Sequence, residues 1–128
     1  MLDAKAKAMI NGKNFAFIAT LARDGSPQLT PVWVDTDGKH VIVNTAMGRA
    51  KQRNTARDNR VAVVISDSKN PYSYTYVKGR VTEQKKEGAS EHIDKLAKKY
   101  LDKESYPWKD PKETRVMLVI TPEKVISQ

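Results

Sequence analysis

Apolar positions recur at two spacings along this chain, and these spacings divide it into short strands and helices. Segments with alternating, β-branched or aromatic residues predict strands over residues 14–21, 28–35, 40–45, 61–66, 72–83 and 115–121. Turns at Asp24-Gly25 and Asp37-Gly38 separate the first three, which we expect to form an antiparallel meander. Residues 61–66 (VAVVIS) are continuously apolar, which is typical of a strand buried on both faces. Pro31 cannot donate to a ladder and predicts a sheet edge, a bulge or a place where something other than a strand approaches.

Three other segments have helical character. Asp3 is placed to cap a first helix that stops at Asn11-Gly12. Residues 49–58 do not alternate and favour a short helix between strands, and residues 88–103 carry apolar positions at the spacing of an amphipathic helix. Closely spaced strands with peripheral helices predict a mostly β, six- to seven-stranded antiparallel barrel, formed by residues 1–128 as one domain.

Composition removes several classes of function. The chain has no cysteine, which excludes disulfides, thiolate metal sites and a cysteine nucleophile. Neither His40 nor His92 has an obvious orienting partner, so we expect no transition-metal site, an ordinary strand position for His40 and a helix-surface position for His92. No apolar run approaches the roughly 20 residues that span a bilayer, and the N-terminus lacks the apolar core of a signal peptide. These two features predict a soluble cytoplasmic protein without a membrane partner.

The net charge of +8 is concentrated in one segment. Between Arg49 and Arg60, five basic residues face one acid, so +4, half of the excess, lies in twelve residues. A helix N-terminus offers free N–H groups and a positive dipole end, so a phosphate could dock there between Arg49, Lys51 and Thr45. An ordinary solvated helix face is the alternative reading of the same charges. A single short cluster without interleaved aromatic residues argues against a nucleic-acid partner.

Side chains for acid–base chemistry are scarce. Five carboxylates fall at turns and strand ends, where capping and solvation account for them: Asp24, Asp35, Asp37, Asp58 and Asp67. If the protein is an enzyme, we therefore expect the reactive atoms to belong to a cofactor. Trp33 and the row of Tyr72, Tyr74 and Tyr76 could supply flat surfaces for a ring system, although aromatic residues at a spacing of two more often pack across strands or at an interface.

Short motifs follow one another in a characteristic order. They are FIATL at 17–21, DGSPQ at 24–28, PVW at 31–33, VIVNT at 41–45, RAKQRN at 49–54 and a Tyr-Pro-Trp loop before the last strand. This series resembles the pyridoxamine 5′-phosphate oxidase-like flavin and deazaflavin oxidoreductases, and within them the small F420-dependent group. The resemblance implies a split β-barrel that forms a homodimer, with two equivalent cofactor sites at the subunit interface.

The resemblance also implies which residues form each cofactor site. Arg49 and Lys51 would hold the cofactor phosphate, and three residues would lie close to it: Thr45, Ala50 and Asn54. Five residues would border the ring, largely through backbone atoms: Thr30, Val32, Trp33, Val43 and Asn44. Tyr74 would approach from the later strand pair, within the chain or across the dimer.

The activity implied by the resemblance is an F420-dependent reduction. Hydride would pass from reduced F420 to an electron-poor double bond of a small-molecule substrate, and no catalytic residue is assigned. F420 carries a phosphate and an oligoglutamate tail, and the positive charges of Arg53, Arg57 and Arg60 favour that longer anion over FMN, although solvated arginines would give the same pattern. The alternatives are an FMN-binding oxidoreductase of the same fold and a non-catalytic carrier of flavin, F420 or haem.

Overall fold

The structure, a computed structural model, describes residues 1–128 and contains seven strands and three helices. The strands are β1 (Phe15–Leu21), β2 (Pro27–Val32), β3 (Val34–Thr36), β4 (Val41–Ala46), β5 (Arg60–Ser66), β6 (Tyr74–Lys85) and β7 (Arg115–Ser127). The helices are α1 (Ala4–Asn11), α2 (Ala50–Arg57) and α3 (Ala89–Leu101). All strand pairs are antiparallel, in the order β2-β1-β5-β6-β7-β4-β3. The predicted mostly β fold with short helices is confirmed.

The two edges of the sheet are neighbours along the chain. β2 forms one edge and β3 the other, and only Trp33 separates them. A chain that passes from edge to edge through one residue requires the sheet to curl until its edges approach each other. The seven strands therefore form a curled half-barrel, and we call the junction at Trp33 the seam.

This connectivity corrects the predicted arrangement of the first strands. A single strand over residues 28–35 within a meander is wrong, because the segment breaks at Trp33 into two strands. β4 pairs with β3 and β7 and not with β2. Pro31 lies on an edge strand, as its missing N–H donor predicts.

Two later strands also differ from their predicted form. β5 is buried on one face only, because Val61, Val63 and Ile65 face the core while Ala62 and Val64 stay partly exposed. β7 continues to Ser127, with shifts in its register against β6, so the end of the chain belongs to the sheet. The outer face of β5 is therefore an apolar surface within one chain.

The main core lies inside the curled sheet and includes α1. Asp3 caps α1, as predicted, by accepting a hydrogen bond from the Ala6 N–H at 2.8 Å. α3 contributes to a second, smaller cluster of buried side chains, which packs against Trp33 and Tyr106. This second cluster places α3 beside the seam. No helix of the protein has both the length and the apolarity needed to cross a bilayer.

Candidate functional site

A groove of about 290 Å³ opens beside the seam, and we call it the seam groove. Six of the predicted cofactor residues line it: Val32, Trp33, Asn44, Thr45, Arg49 and Lys51. Six further residues complete its wall: Phe15, Pro31, Ile93, Tyr106, Trp108 and Arg115. The groove therefore has a basic part near the start of α2 and an aromatic part near Trp33.

The basic part contains three cations and a single carboxylate. Arg49 Nη2 donates to both oxygens of Glu113, at 3.1 and 2.8 Å, and Arg115 Nη1 lies 3.4 Å from Glu113 Oε2. Lys51 is half-buried, and its Nζ makes no hydrogen bond or ion pair within the chain. Burial lowers the pKa of Lys51, and the nearby charges of Arg49 and Arg115 lower it further. Because positive charge is in excess and two of the cations, Lys51 and Arg115, are partly buried, this part of the groove favours an anion.

One buried polar atom at this end of the groove lacks a partner. Thr45 is 1% exposed, and its Oγ1 makes no hydrogen bond. The turn that follows passes through Gly48, whose φ of +89° is easily adopted only by glycine, and leads to Arg49 at the N-cap of α2. The Arg49 side chain makes no capping hydrogen bond. An unpaired hydroxyl, a free ammonium group and a helix N-terminus without a side-chain cap are together the donors that a phosphate accepts from.

The aromatic part is a continuous series of rings. Trp33 stacks on Tyr100, with ring centres 5.3 Å apart and planes 6° apart. Tyr106 meets Trp33 edge-on at 6.0 Å, and Trp108 meets Tyr106 at 5.6 Å. Phe15 stacks on Tyr100 at 6.4 Å. Such a wall favours contact with a planar, largely apolar ring system.

The other predicted cofactor residues lie outside the seam groove. Val43 is fully buried in the core, and Thr30 lies on β2 opposite Ile18 of β1. Ala50 and Asn54 line a neighbouring groove, the α2 groove, which consists of Ala22, Arg23, Gln28, Ala50, Arg53, Asn54 and Arg57. Tyr74 lines a separate apolar groove with Val64, Pro71, Tyr76 and Ile126. One chain therefore brings together residues of β2, β4 and the start of α2, but not Tyr74.

The arginines expected to favour a longer anion are mostly engaged elsewhere. Arg60 pairs with Asp58 at 2.7 Å, and Arg57 donates to the Leu21 carbonyl oxygen at 2.8 Å. Arg53 makes no ion pair, and it lies in the α2 groove. These positions support a phosphate site more strongly than a site for an extended anion.

A buried polar cluster behind the groove overturns the expectation for His92. The His92 side chain is 9% exposed, its Nε2 lies 3.0 Å from Asp35 Oδ2, and its Nδ1 lies 3.0 Å from Asn44 Nδ2. Asp35 is buried and also accepts from Lys95 Nζ at 3.0 Å, so it is not a solvated strand-end carboxylate. Burial opposes its ionisation, but hydrogen bonds from His92 and Lys95 outweigh burial and hold the pKa of Asp35 well below its usual range. His40 also has a carboxylate partner, at 2.8 Å, in the turn before β4.

The groove residues that the sequence did not indicate come from distant parts of the chain. Arg115 begins the last strand, and Tyr106 and Trp108 belong to the loop before it. The loop belongs to the series of motifs in the sequence, but its aromatic and proline content does not specify what it packs against.

Known proteins of the same architecture were found by sequence and by structure. The model of the pyridoxamine 5′-phosphate oxidase family matches residues 2–128. An F420 reductase superposes with a TM-score of 0.82 at 26% identity, over 95% of this chain and 96% of the other. HupZ from Group A Streptococcus superposes with a TM-score of 0.71 at 21% identity, over 99% and 94% of the two chains. A pyridoxamine 5′-phosphate oxidase-like protein from Listeria innocua superposes with a TM-score of 0.73 at 18% identity, over 99% of this chain and 98% of the other.

Proposed function

Because the chain belongs to the pyridoxamine 5′-phosphate oxidase family, we propose that it is an oxidoreductase that binds F420, or as second choice FMN, in the seam groove. The observation that carries the proposal is the presence of an aromatic wall and an unsatisfied set of donors in one groove. Both cofactors combine a planar ring system with a phosphate. The aromatic part of the groove suits the ring system, and the basic part suits the phosphate. Similarity to an F420 reductase at 26% identity supports F420 as the first choice.

Four residues of the groove have a role in this proposal. Arg49 and Lys51 bind the phosphate, and Thr45 Oγ1 donates to it. Trp33 borders the ring. When bound in its reduced form, F420 would supply a hydride to an electron-poor double bond of a small-molecule substrate. The chain itself binds and orients the reactants, and we assign no catalytic residue.

A second copy of the chain completes the site in this proposal. Five apolar residues that face one another on neighbouring strands form a row across the outer sheet face, the outer row: Pro31, Phe17, Val64, Tyr76 and Ile126. Phe17 is 40% and Ile126 39% exposed, so one chain leaves this row partly uncovered. One end of the row lies in the seam groove and the other lines the groove that contains Tyr74. If a second copy of the chain packs on the outer row, Tyr74 of one copy would approach the cofactor bound to the other.

Fluorescence titration of F420 and FMN side by side tests the proposal. We expect F420 to bind with micromolar or better affinity and FMN more weakly. Replacing both Arg49 and Lys51 by Ala should weaken binding by about tenfold or more, because the phosphate loses charge-assisted contacts. Lys51→Ala and Arg53→Ala form a matched pair, since each removes one positive charge from α2 but only Lys51 lies in the seam groove.

The outcomes separate the alternatives. A double variant of Arg49 and Lys51 that binds as tightly as the wild type would contradict the phosphate site. A loss of affinity in Arg53→Ala as large as that in Lys51→Ala would indicate a general charge effect. A chromophore that stays bound but never turns over with any acceptor would favour a carrier over a reductase.

A further inference from the structure

We propose that Arg115 is a third anion-binding residue of the seam groove, and that His92 positions it through Asn44. The inference rests on the proposed function, to which it adds a phosphate contact and a positioning residue. Arg115 lies at the start of β7, 66 positions after Arg49 in the chain numbering, and reaches the groove only because β7 pairs with β4.

The guanidinium of Arg115 is held on three sides and lines the seam groove. Its side chain is 10% exposed, and its Cζ lies 5.3 Å from the centre of the Tyr106 ring. Its Nε donates to Asn44 Oδ1 at 2.9 Å, and its Nη1 approaches Glu113 at 3.4 Å. Its Nη2 makes no hydrogen bond to Asn44 or Glu113, and the Tyr106 side chain is the remaining polar group close to the guanidinium. Arg115 belongs to the same groove wall as the unpaired Lys51 Nζ and Thr45 Oγ1.

Two partners whose hydrogen-bonding roles allow no choice identify which atom of the Asn44 amide is the oxygen and which is the nitrogen. Arg115 Nε can only donate, so the atom facing it at 2.9 Å must be the amide oxygen. The Ala89 carbonyl can only accept, so the atom facing it at 2.9 Å must be the amide nitrogen. The second hydrogen of Nδ2 is then directed at His92 Nδ1, 3.0 Å away.

This orientation determines the protonation of His92. Because Asn44 donates to Nδ1, that nitrogen must carry no proton, and the ring proton lies on Nε2. Nε2 then donates to Asp35 Oδ2, which is ionised and also bound by Lys95. His92 therefore links a buried carboxylate to the amide that orients Arg115. If the acceptor at Nδ1 is lost, Asn44 keeps fewer restraints on its rotation, and its oxygen no longer reliably holds Arg115 Nε.

The role of Arg115 is tested by comparing cofactors with and without their phosphate. FMN is titrated against riboflavin, and F420 against its phosphate-free chromophore, with the wild type and Arg115→Gln. We expect Arg115→Gln to weaken the phosphate-bearing form by about tenfold or more, since a hydrogen bond between charged groups is lost, and to leave the phosphate-free form within about twofold. Equal losses for both forms, or no loss for either, would overturn the assignment.

The role of His92 is tested with a pair of variants. His92→Leu removes the acceptor, whereas His92→Asn offers an amide oxygen close to the position of Nδ1. We expect His92→Leu to weaken phosphate-dependent binding by about threefold or more and His92→Asn to restore it to within about twofold of wild type. A His92→Asn variant as weak as His92→Leu, or a His92→Leu variant that binds normally, would refute the positioning role.

Two measurements keep the inference testable if variants misfold or cofactors fail to bind. Nitrogen-15 NMR of the wild-type imidazole should show a proton on Nε2 and none on Nδ1 of His92, and the opposite tautomer would overturn the argument. If the wild type binds neither F420 nor FMN, the proposed function fails, and calorimetric titration with inorganic pyrophosphate tests Arg115 separately. Weaker pyrophosphate binding by Arg115→Gln supports the anion site, and no binding by the wild type, or equal binding by both proteins, refutes it.

Discussion

The buried hydroxyl oxygen of Thr45 has no hydrogen-bond partner, and such an atom can indicate where a ligand binds. A group of this kind lowers the stability of the free protein by about 1–3 kcal/mol, and native proteins contain few of them. Thr45 lines the seam groove, so a phosphate bound there in the proposed function would supply the missing acceptor.

Thr45→Val should change stability and binding in opposite directions. The methyl group has nearly the same size as the hydroxyl and needs no hydrogen bond, so we expect the free energy of unfolding of the free protein to rise by about 1 kcal/mol. Affinity for the phosphate-bearing cofactor should fall by about fivefold, because one donor is lost. Thermal unfolding and fluorescence titration measure the two effects.

Thr55 provides the control for that substitution. It is also buried, but its Oγ1 donates to the Lys51 carbonyl oxygen at 2.7 Å. Thr55→Val should therefore destabilise the protein. If both variants lose stability to the same extent, the hydroxyl of Thr45 has a partner in solution and the argument for the phosphate fails.

Asp35 gives a prediction about the pH dependence of stability. Asp35→Asn should lower the free energy of unfolding at pH 7 by about 2 kcal/mol, because hydrogen bonds from charged or polarised donors are weakened. The pKa of Asp35 is depressed in the folded protein, so its contribution is complete above the unfolded-state pKa of about 3.9 and is lost as the pH falls below that value.

Denaturant unfolding of wild type and Asp35→Asn between pH 7 and 3 measures this dependence. The difference in stability should be constant down to about pH 5 and shrink below about pH 4. Asp24→Asn, at an exposed turn, is the control and should have a much smaller effect. A difference that grows on acidification would show that Asp35 is not held as a carboxylate.

At the scale of elements, α3 connects parts of the chain that are far apart in sequence. Tyr100 OH donates to the Asn14 carbonyl oxygen at 2.7 Å and accepts from the Val34 N–H at 3.3 Å. Lys99 Nζ donates to the carbonyl oxygens of Ile10 and Val34. The helix therefore ties the end of α1 and the segment before β1 to the edge strand β3.

Tyr100→Phe tests this connection without disturbing the ring stack. The variant keeps the ring against Trp33 but loses two hydrogen bonds, so we expect a loss of about 1–2 kcal/mol and faster hydrogen exchange at the Val34 amide. Tyr76→Phe is the matched control, since the Tyr76 hydroxyl makes no hydrogen bond in the chain, and it should stay within about 0.5 kcal/mol of wild type. Equal effects in both variants would contradict the connecting role of Tyr100.

Local sequence patterns predict where the helices and strands of this chain lie, but they predict poorly which strands pair with each other. The Asp3 cap and the helical spacing over residues 88–103 depend on neighbouring residues, and both are confirmed. The pairing of residues 28–35 depends on where the sheet closes, and no alternation pattern encodes that. Six of the eleven predicted cofactor residues therefore reach one groove. Asp35 and His92 meet only through tertiary packing, so local patterns place both of them at the surface.

For the whole molecule, the outer row makes a prediction about assembly. Phe17→Asp places a charge in the middle of the row, so we expect it to convert a dimer into a monomer and to weaken cofactor binding. Sedimentation velocity measures the first effect and fluorescence titration the second. Met47→Asp is the control for assembly, because Met47 is similarly exposed, at 39%, and lies outside the row. A wild type that is monomeric at micromolar concentration would refute the shared site.

The one-residue junction between the two sheet edges also couples folding to binding. β2 supplies Pro31 and Val32 to the groove, and β4, which pairs with β3, supplies Asn44 and Thr45, so the groove is complete only when the edges have approached each other. If a cofactor binds there as proposed, it selects the half-barrel with its two edges together and stabilises that state by about 2.7 kcal/mol at a hundredfold excess over Kd. Separation of the two sheet edges at the seam would then be the motion that a bound cofactor suppresses most. The supply of cofactor would in turn determine how fast the protein is degraded by proteases.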